Sequence, residues 1–287
     1  MIEVVTGVIM IQRILLVLSF LACIAIVVLG GLHWKEQIKE AGEKAAVAEN
    51  NTGSEKKRED VDEKENKDDL VKELSPKEEL EVLVSNLPKE AANLFLHAFE
   101  KKESVKVMFI GSDAMGVLVN GWSTKAKAKL EEAYGDRVEV VLKEHYVNTN
   151  QYIQDGTYES DIEEKADIIV LEPFTIQDNE DMIMIEHSIE ALDIFLARLK
   201  EVSPESVLMV QPPQPIYQAV NYPKQVEAIK GWASENGVTF VDHWTAWPDY
   251  NSEKFLEYID GDVLPNEKGH QLWADFIIDM FVNVEKE

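Results

Sequence analysis

Two polar side chains, Ser112 and Asp113, directly follow a run with the composition of a buried strand. The run Val105–Gly111 is rich in β-branched and large apolar residues and ends at a glycine. A strand that ends in a tight turn before a helix delivers side chains to the carboxyl edge of a parallel sheet, where open α/β folds bind ligands. Some hydrolases expose a nucleophilic serine on such a turn. This stretch therefore predicts ligand binding or nucleophilic chemistry at residues 112 and 113.

A serine nucleophile also needs a general base, most often a histidine within about 3 Å. His145 and His243 each follow a predicted strand, so both could reach the same edge of the sheet. His270 lies about a turn and a half into the last predicted helix. We expect His145 and His243 to be loop histidines that are hydrogen-bonded to the backbone. We expect His270 to have a structural role. All three remain candidate bases.

Acidic and aromatic side chains gather in the loops around the same edge. Two carboxylates about 5 to 9 Å apart could hydrolyse glycosides, and oxygen ligands could hold Ca²⁺ or Mg²⁺. Neither arrangement has a spacing signature here, so no metal and no cofactor are expected. Tryptophans in these loops could stack on sugars, although packing is their default role. The residues concerned are Asp113, Glu172, Asp178, Asp242, Asp260, Asp262, Trp122, Trp244, Trp247 and Tyr250.

Strands and helices alternate along the chain from residue 105 to 282. This order predicts a three-layer α/β/α sandwich with a five-stranded parallel sheet and right-handed crossovers. A helical segment, residues 74–104, precedes it, with Ser75 as N-cap and Pro76 in the first turn. The predicted strands are 105–111, 138–142, 167–171, 206–210 and 238–241, and the main predicted helices are 122–134, 182–202, 223–236 and 266–282.

The N-terminal quarter of the chain indicates attachment to a membrane. Residues 14–32 form an uncharged run of 19 residues, long enough to cross a bilayer core of about 30 Å. We interpret residues 1–34 as an uncleaved anchor, with a cleaved signal peptide second and a lipoprotein modified at Cys23 third. Residues 35–73 are a charged linker with little apolar content. We expect a single-pass protein of the cell membrane with its globular domain, residues 105–287, outside.

Composition excludes some functions. The chain has a formal net charge of −26, from 28 basic and 54 acidic side chains. A nucleic-acid partner is therefore not expected, because phosphate binding needs a basic footprint. Cys23, the single cysteine, lies in the apolar run, so the folded domain has no disulfide and no cysteine-based metal site.

Three motifs between residues 105 and 282 resemble those of the SGNH/GDSL hydrolases. Phe109-Ile-Gly-Ser-Asp113 resembles the opening block, usually Gly-Asp-Ser after a strand. Residues 167–171, with 175–179 after them, stand where the block ending Gly-x-Asn-Asp is expected. Pro265-Asn-Glu-Lys-Gly-His270 closely resembles the tail of the closing block, Asp-x-x-His-Pro-Asn-x-x-Gly-His. The resemblance implies a flavodoxin-like α/β/α esterase fold.

The chain departs from this pattern at the positions that carry the family's chemistry. Asp113 occupies the slot of the nucleophilic serine, with Ser112 beside it, and Leu264 occupies the slot of the histidine. Gly261 stands in the slot of the family's aspartate, between Asp260 and Asp262. Asn179 is near the place of the family's asparagine but out of register. The glycine-containing second block is replaced by Val147-Asn148-Thr149.

Two functions follow from the resemblance. If active, the protein is an esterase or acylhydrolase acting on ester-linked acyl groups of cell-envelope glycans or lipids. Alternatively, it is a catalytically degenerate scaffold that binds envelope carbohydrate or a protein partner. An imidazole within hydrogen-bonding reach of Ser112 Oγ would favour the enzyme. The candidate catalytic residues are Ser112, Asp113, Asn179, Asp260, Asp262 and His270, and the candidate substrate-binding residues are Asn148, Glu172, Thr175, His243 and Trp244.

Overall fold

A short helical pair opens the part of the chain described by the computed structural model, which covers residues 74–261 and 263–283. Helix α1 (Pro76–Leu83) begins at Ser75, whose hydroxyl accepts from Glu78 N while the Glu78 carboxylate accepts from Ser75 N. This reciprocal capping satisfies two backbone donors that would otherwise be unpaired. Helix α2 (Lys89–Lys101) follows and ends at Lys102, which adopts a left-handed conformation. The predicted helix start at Ser75 thus has its physical cause in this cap.

Five parallel strands form the central sheet. Their order is β2-β1-β3-β4-β5, so β1 lies between β2 and β3. The register pairs Ile110 with Leu171 and Leu171 with Val210, which brings the carboxyl ends of β1, β3 and β4 level with one another. The strands are β1 (Val105–Gly111), β2 (Val138–Glu144), β3 (Ile168–Leu171), β4 (Val207–Val210) and β5 (Thr239–Phe240).

Helices cover both faces of this sheet. Alternate strand residues point to opposite faces, so Phe109 and Val170 join one core while Ile110 and Leu171 join the other. Helices α1, α2, α3 and α9 pack on the first face, and α4, α5, α7 and α8 pack on the second. The predicted three-layer sandwich is confirmed. The remaining helices are α3 (Trp122–Tyr134), α4 (Thr149–Gln154), α5 (Thr157–Glu163), α6 (Thr175–Glu180), α7 (Ile185–Val202), α8 (Tyr222–Glu235) and α9 (Glu267–Phe281).

Short elements that the sequence did not predict lie at the carboxyl edge. A turn of 3₁₀ helix, Asp113–Met115, follows β1. Before α9, strands β6 (Ile259–Asp260) and β7 (Leu264–Pro265) pair antiparallel as a small hairpin. Helix α7 begins at Ile185, three residues later than predicted. The hairpin matters for function because it carries Leu264 back towards β1.

The anchor and linker, residues 1–73 with Cys23, and the candidate residue Asp262 lie outside the described residues. Within residues 74–261 and 263–283, no helix is both long and apolar enough to span a bilayer. The membrane anchor stays a prediction from residues 14–32.

A chain that starts at Leu74 is expected to fold without the preceding segment. The described core begins at Leu80 and is supplied entirely by later residues. We expect this shortened chain to be soluble without detergent and to melt in one cooperative transition, as judged by circular dichroism. Aggregation of the shortened chain, while the full chain folds in detergent, would contradict the boundary.

Candidate functional site

Ser112 and Glu172 form a buried pair at the carboxyl ends of β1 and β3. The Ser112 hydroxyl donates to Glu172 Oε1 over 2.6 Å, and Ser112 Oγ accepts from Ala114 N over 3.3 Å. Both side chains are enclosed, with Ser112 1% exposed and Glu172 fully buried. Ser112 therefore acts as the cap of the 3₁₀ turn, and its oxygen does not face open solvent.

The buried environment of the Glu172 carboxyl group disfavours its ionised form. Burial raises the pKa of Glu172 to about 8, against the lowering effect of the hydrogen bonds from Ser112 and with smaller raising effects from Asp113 and Glu144. Glu172 also packs against Gly111, where an added Cβ would lie 2.8 Å from Glu172 Oε2. The carboxyl is thus neutral at pH 7, and residue 111 must be glycine to leave room for it.

Two further buried polar side chains, Gln211 and Gln214, lie in the segment that follows β4. Gln211 follows β4 as Glu172 follows β3, and Gln211 N donates to Leu171 O. Trp273 Nε1 donates to Gln211 Oε1, and Gln214 Nε2 donates to Val263 O. Among the described residues, Gln211 Nε2, Gln214 Oε1 and Glu172 Oε2 have no hydrogen-bond partner. Buried donor and acceptor capacity is therefore left unused in the segments that follow β3 and β4.

A pocket of about 420 Å³ is lined by Asp113, the neighbour of Ser112 in the chain, and brings together several of the sequence candidates. Its wall includes both divergent slots, Asp113 after β1 and Leu264 on β7. Leu264 is 45% exposed. The volume lies within the range of small-molecule sites. The charged and titratable residues in the wall are Asp113, Lys125, Asp260, Glu267 and His270.

His270 lies in the wall of this pocket and is 7% exposed. The backbone N–H of Trp122 donates to His270 Nδ1 over 3.3 Å. Burial lowers the pKa of His270 to about 4, with help from the positive charge of Lys125 and against the opposing effect of Asp260. The imidazole is therefore neutral at pH 7, and its Nδ1 is occupied by a backbone donor.

His243 is a core residue. Its ring stacks on Trp273 with centroids 4.1 Å apart, and Trp247 Nε1 donates to His243 Nδ1. Nε2 then carries the proton and donates to Pro212 O over 2.8 Å. Burial lowers the pKa of His243 to about 3, against the raising effect of its hydrogen bonds to the Pro212 and Pro213 backbone. Both ring nitrogens of His243 therefore have hydrogen-bond partners inside the core.

His145 pairs with a different carboxylate. Its Nε2 lies 2.8 Å from Asp161 Oδ2, which also accepts from the Tyr152 hydroxyl. The pair lies on the helix layer formed by α4 and α5. Among the described residues, no histidine makes a hydrogen bond to Ser112 Oγ.

The other candidates lie outside the pocket. Asn148 caps α4 by accepting from Gln151 N and donates to Asp181, and Thr175 is fully buried. Asn179 is exposed and donates to Gln225 in a separate cleft of about 370 Å³. Trp244 donates to Pro213 O and packs on Tyr222. These side chains cap, pack or line other surfaces.

Lys125 and Glu267 were not singled out from the sequence, although both line the pocket. Lys125 is one turn from the start of α3, and Glu267 is the first residue of α9. The sequence signal that could have identified them is their position in the first turn of a predicted helix, beside the carboxyl edge of the sheet. Within residues 74–261 and 263–283, no group of His, Asp, Glu or Cys is arranged to hold a metal ion.

Solved structures similar to this chain are hydrolases. A lipolytic protein of the G-D-S-L family from Desulfitobacterium hafniense shares 15% identity at a TM-score of 0.50, over 62% of this chain and 99% of that one. A GDSL-like lipase from Parabacteroides merdae shares 12% identity at a TM-score of 0.53, over 62% and 95%. The chain has the SGNH/GDSL hydrolase fold. The acetylxylan esterase Axe2 from Geobacillus stearothermophilus is also similar, at 16% identity and a TM-score of 0.51, over 63% of this chain and 95% of that one.

At such identities the likeness shows the fold alone. No protein-family model matches the sequence, and no curated protein matches it. The function must therefore be argued from the pocket and its side chains.

Proposed function

We propose that this protein is a membrane-anchored SGNH-fold protein that binds acylated carbohydrate of the cell envelope and hydrolyses it feebly or not at all. The observation that carries the proposal is the position of Ser112. Its hydroxyl is enclosed and donates to the neutral carboxyl of Glu172. A hydroxyl in that state is a poor nucleophile, because no base is ready to take its proton.

The histidines of the domain support the same conclusion. Both ring nitrogens of His243 are hydrogen-bonded, one to Pro212 and the other to Trp247. The ring of His145 is paired with Asp161. His270 is the one imidazole in the pocket wall, and its Nδ1 accepts from a backbone N–H. Where the family's base is expected, the side chain is that of Leu264, which carries no proton. General-base assistance is worth roughly 10² to 10⁴ in rate, so its loss leaves little turnover.

The chemistry of the pocket suits an acylated sugar. Carboxylates of Asp113, Asp260 and Glu267 can accept hydrogen bonds from hydroxyl groups, and Val119 and Leu264 offer apolar contact for a methyl group. A solved structure with the same fold is an acetylxylan esterase. An acidic pocket also disfavours phosphorylated ligands, since like charges repel. The predicted anchor, residues 14–32, would hold this pocket close to envelope polymers.

Ester hydrolysis is the second candidate, and one observation favours it. The Ser112 hydroxyl and the Glu172 carboxylate oxygen are 2.6 Å apart, which is the geometry of a nucleophile and a general base. Glu172 with a pKa near 8 could accept a proton above that pH. Such a reaction requires the turn at Asp113–Met115 to open, because both side chains are enclosed.

Binding and hydrolysis can be measured on one sample. We expect the full chain in neutral detergent to bind acetylated xylotriose by calorimetry and to hydrolyse p-nitrophenyl acetate less than tenfold above the buffer rate. Ser112→Ala is expected to leave both results unchanged. Its matched control is Ser123→Ala, another buried serine, which donates to Met115 O and does not line the pocket. Rapid hydrolysis that Ser112→Ala alone abolishes would establish Ser112 as the nucleophile and overturn the binding proposal.

A further inference from the structure

The proton on the neutral His270 ring can be assigned from its one hydrogen bond. A backbone N–H can only donate, so the contact from Trp122 N requires Nδ1 to be the acceptor. The ring proton is then on Nε2. Because burial lowers the pKa of His270 to about 4, this neutral tautomer holds across the physiological range. His270 therefore offers an N–H donor at Nε2, and neither of its ring nitrogens is free to accept a proton.

The donor edge of the ring faces a restricted space. Gly116 approaches the Cε1–Nε2 edge so closely that a Cβ at residue 116 would lie 2.8 Å from Cε1 and 3.1 Å from Nε2. Gly116 also has φ of +66°, which favours glycine for a second reason. Among the described residues, His270 Nε2 has no hydrogen-bond partner, while the ring is nine-tenths buried in the pocket wall.

The groups around the ring define what this donor can bind. Lys125 and Asp260 are the charged side chains that act on His270, and Asp113 and Glu267 line the same pocket. None of these carboxylates bonds to Nε2. A neutral N–H beside carboxylates pairs best with an uncharged acceptor, because an anionic ligand would be repelled.

We infer that His270 Nε2–H donates to the carbonyl oxygen of an acyl group on the ligand, so that His270 selects acylated over unacylated carbohydrate. In this arrangement the acyl methyl group contacts Val119 and Leu264, and ligand hydroxyls donate to Asp113 and Asp260. His270 is a binding residue in this role, not a base. The inference rests on the proposed function, since it assigns a specificity to the same pocket.

The test compares acetylated xylotriose with xylotriose, two neutral probes that differ only in acetyl groups. For the full chain in neutral detergent we expect about threefold to tenfold tighter binding of the acetylated probe, the worth of one neutral hydrogen bond. His270→Phe should remove this preference. His270→Gln should retain part of it, because its amide can donate from a similar position. His187→Gln, at an exposed histidine on α7, is the control.

The outcomes separate the two proposals. If neither probe binds, the proposed function fails. If both bind equally to the unmodified chain, or if His270→Phe keeps the full preference, the role of His270 is overturned while carbohydrate binding stands. Should His270→Phe fail to fold, long-range ¹H–¹⁵N NMR on the unmodified chain decides: we expect the Nε2–H tautomer and a shifted Nε2–H signal with acetylated xylotriose. A proton on Nδ1, or no shift on binding, would overturn the inference.

Discussion

Replacing Glu172 by glutamine is expected to stabilise the protein at pH 8 and above by on the order of several kcal/mol, and to change stability little at pH 5. The glutamine amide keeps an oxygen that can accept from the Ser112 hydroxyl, and its nitrogen replaces Oε2, which lacks a partner. The substitution therefore removes a titrating proton without removing the buried hydrogen bond.

The direction follows from proton linkage. Glu172 in the unfolded chain loses its proton near its ordinary pKa of 4.5, while the folded protein keeps the proton until about pH 8. Between these values the folded state binds the extra proton, so the free energy of unfolding falls as the pH rises. Each pKa unit is worth about 1.4 kcal/mol. The contribution of neutral Glu172 is fully present below pH 4.5 and is lost as the pH approaches 8.

The measurement is urea denaturation of the full chain in neutral detergent at pH 5, 6.5 and 8.5. His243 and His270 contribute equally to both chains, so the difference in stability between the variant and the unmodified chain reports Glu172 at each pH. Their folded pKa values, about 3 and about 4, lie below the ordinary 6.5, so stability falls as the pH drops below 6.5. Glu253→Gln, at an exposed glutamate, is the matched control. Equal alkaline slopes for Glu172→Gln and the unmodified chain would contradict a proton held by Glu172.

The sheet and its main helices were predictable because their signals are local. The run Val105–Gly111 is apolar throughout, as a strand buried on both faces must be. Helix α3 matches its predicted bounds, Trp122–Tyr134, since its apolar positions recur at helical spacing and Gly135 follows. Helix α9 begins where Asn266 can cap it, accepting from Lys268 N and Gly269 N. In each case the residues that determine where the strand or helix begins or ends lie close to that boundary in the sequence.

The site was less predictable because its contacts are remote in sequence. Ser112 meets Glu172 across 60 positions, and Trp122 meets His270 across 148. The sequence placed Glu172 among substrate-binding residues, yet its partner is the serine itself. It placed Asn179 in the catalytic group, yet Asn179 lies in α6 and donates to Gln225. Which loop residues meet depends on the register of β1, β3 and β4, and that register joins strands that are far apart in the sequence.

The largest gain of activity is expected from restoring the two divergent slots together, with Asp113→Ser and Leu264→His. Both positions line the same pocket of about 420 Å³, and Asp260 lines it as well, where it could orient an imidazole. The new serine would be half-exposed in the pocket, unlike the enclosed Ser112. The double variant thus supplies an accessible hydroxyl beside a base, a pairing that the described lining of the pocket does not contain.

We expect the double variant to hydrolyse p-nitrophenyl acetate about 10²-fold faster than the unmodified chain, and each single variant less than tenfold faster. General-base assistance is worth roughly 10² to 10⁴. The lower figure is expected because Asn148, in the place of the family's second block, caps α4 and does not line the pocket, so it supplies no donor to an oxyanion there. The single effects should not multiply, since nucleophile and base act as one unit.

The matched control is Asp113→Ala with Leu264→His, which has the imidazole but no hydroxyl at residue 113. The double variant's rate should rise with pH through the imidazole pKa, near ~6.5, whereas the control's rate should stay near the buffer rate. If the control is as active as the double variant, hydrolysis does not use the serine at 113. If a crystal structure of Leu264→His shows the ring in bulk solvent, away from residue 113, then residue 264 does not occupy the family's base position, and the loss of a base cannot explain the feeble turnover that we propose.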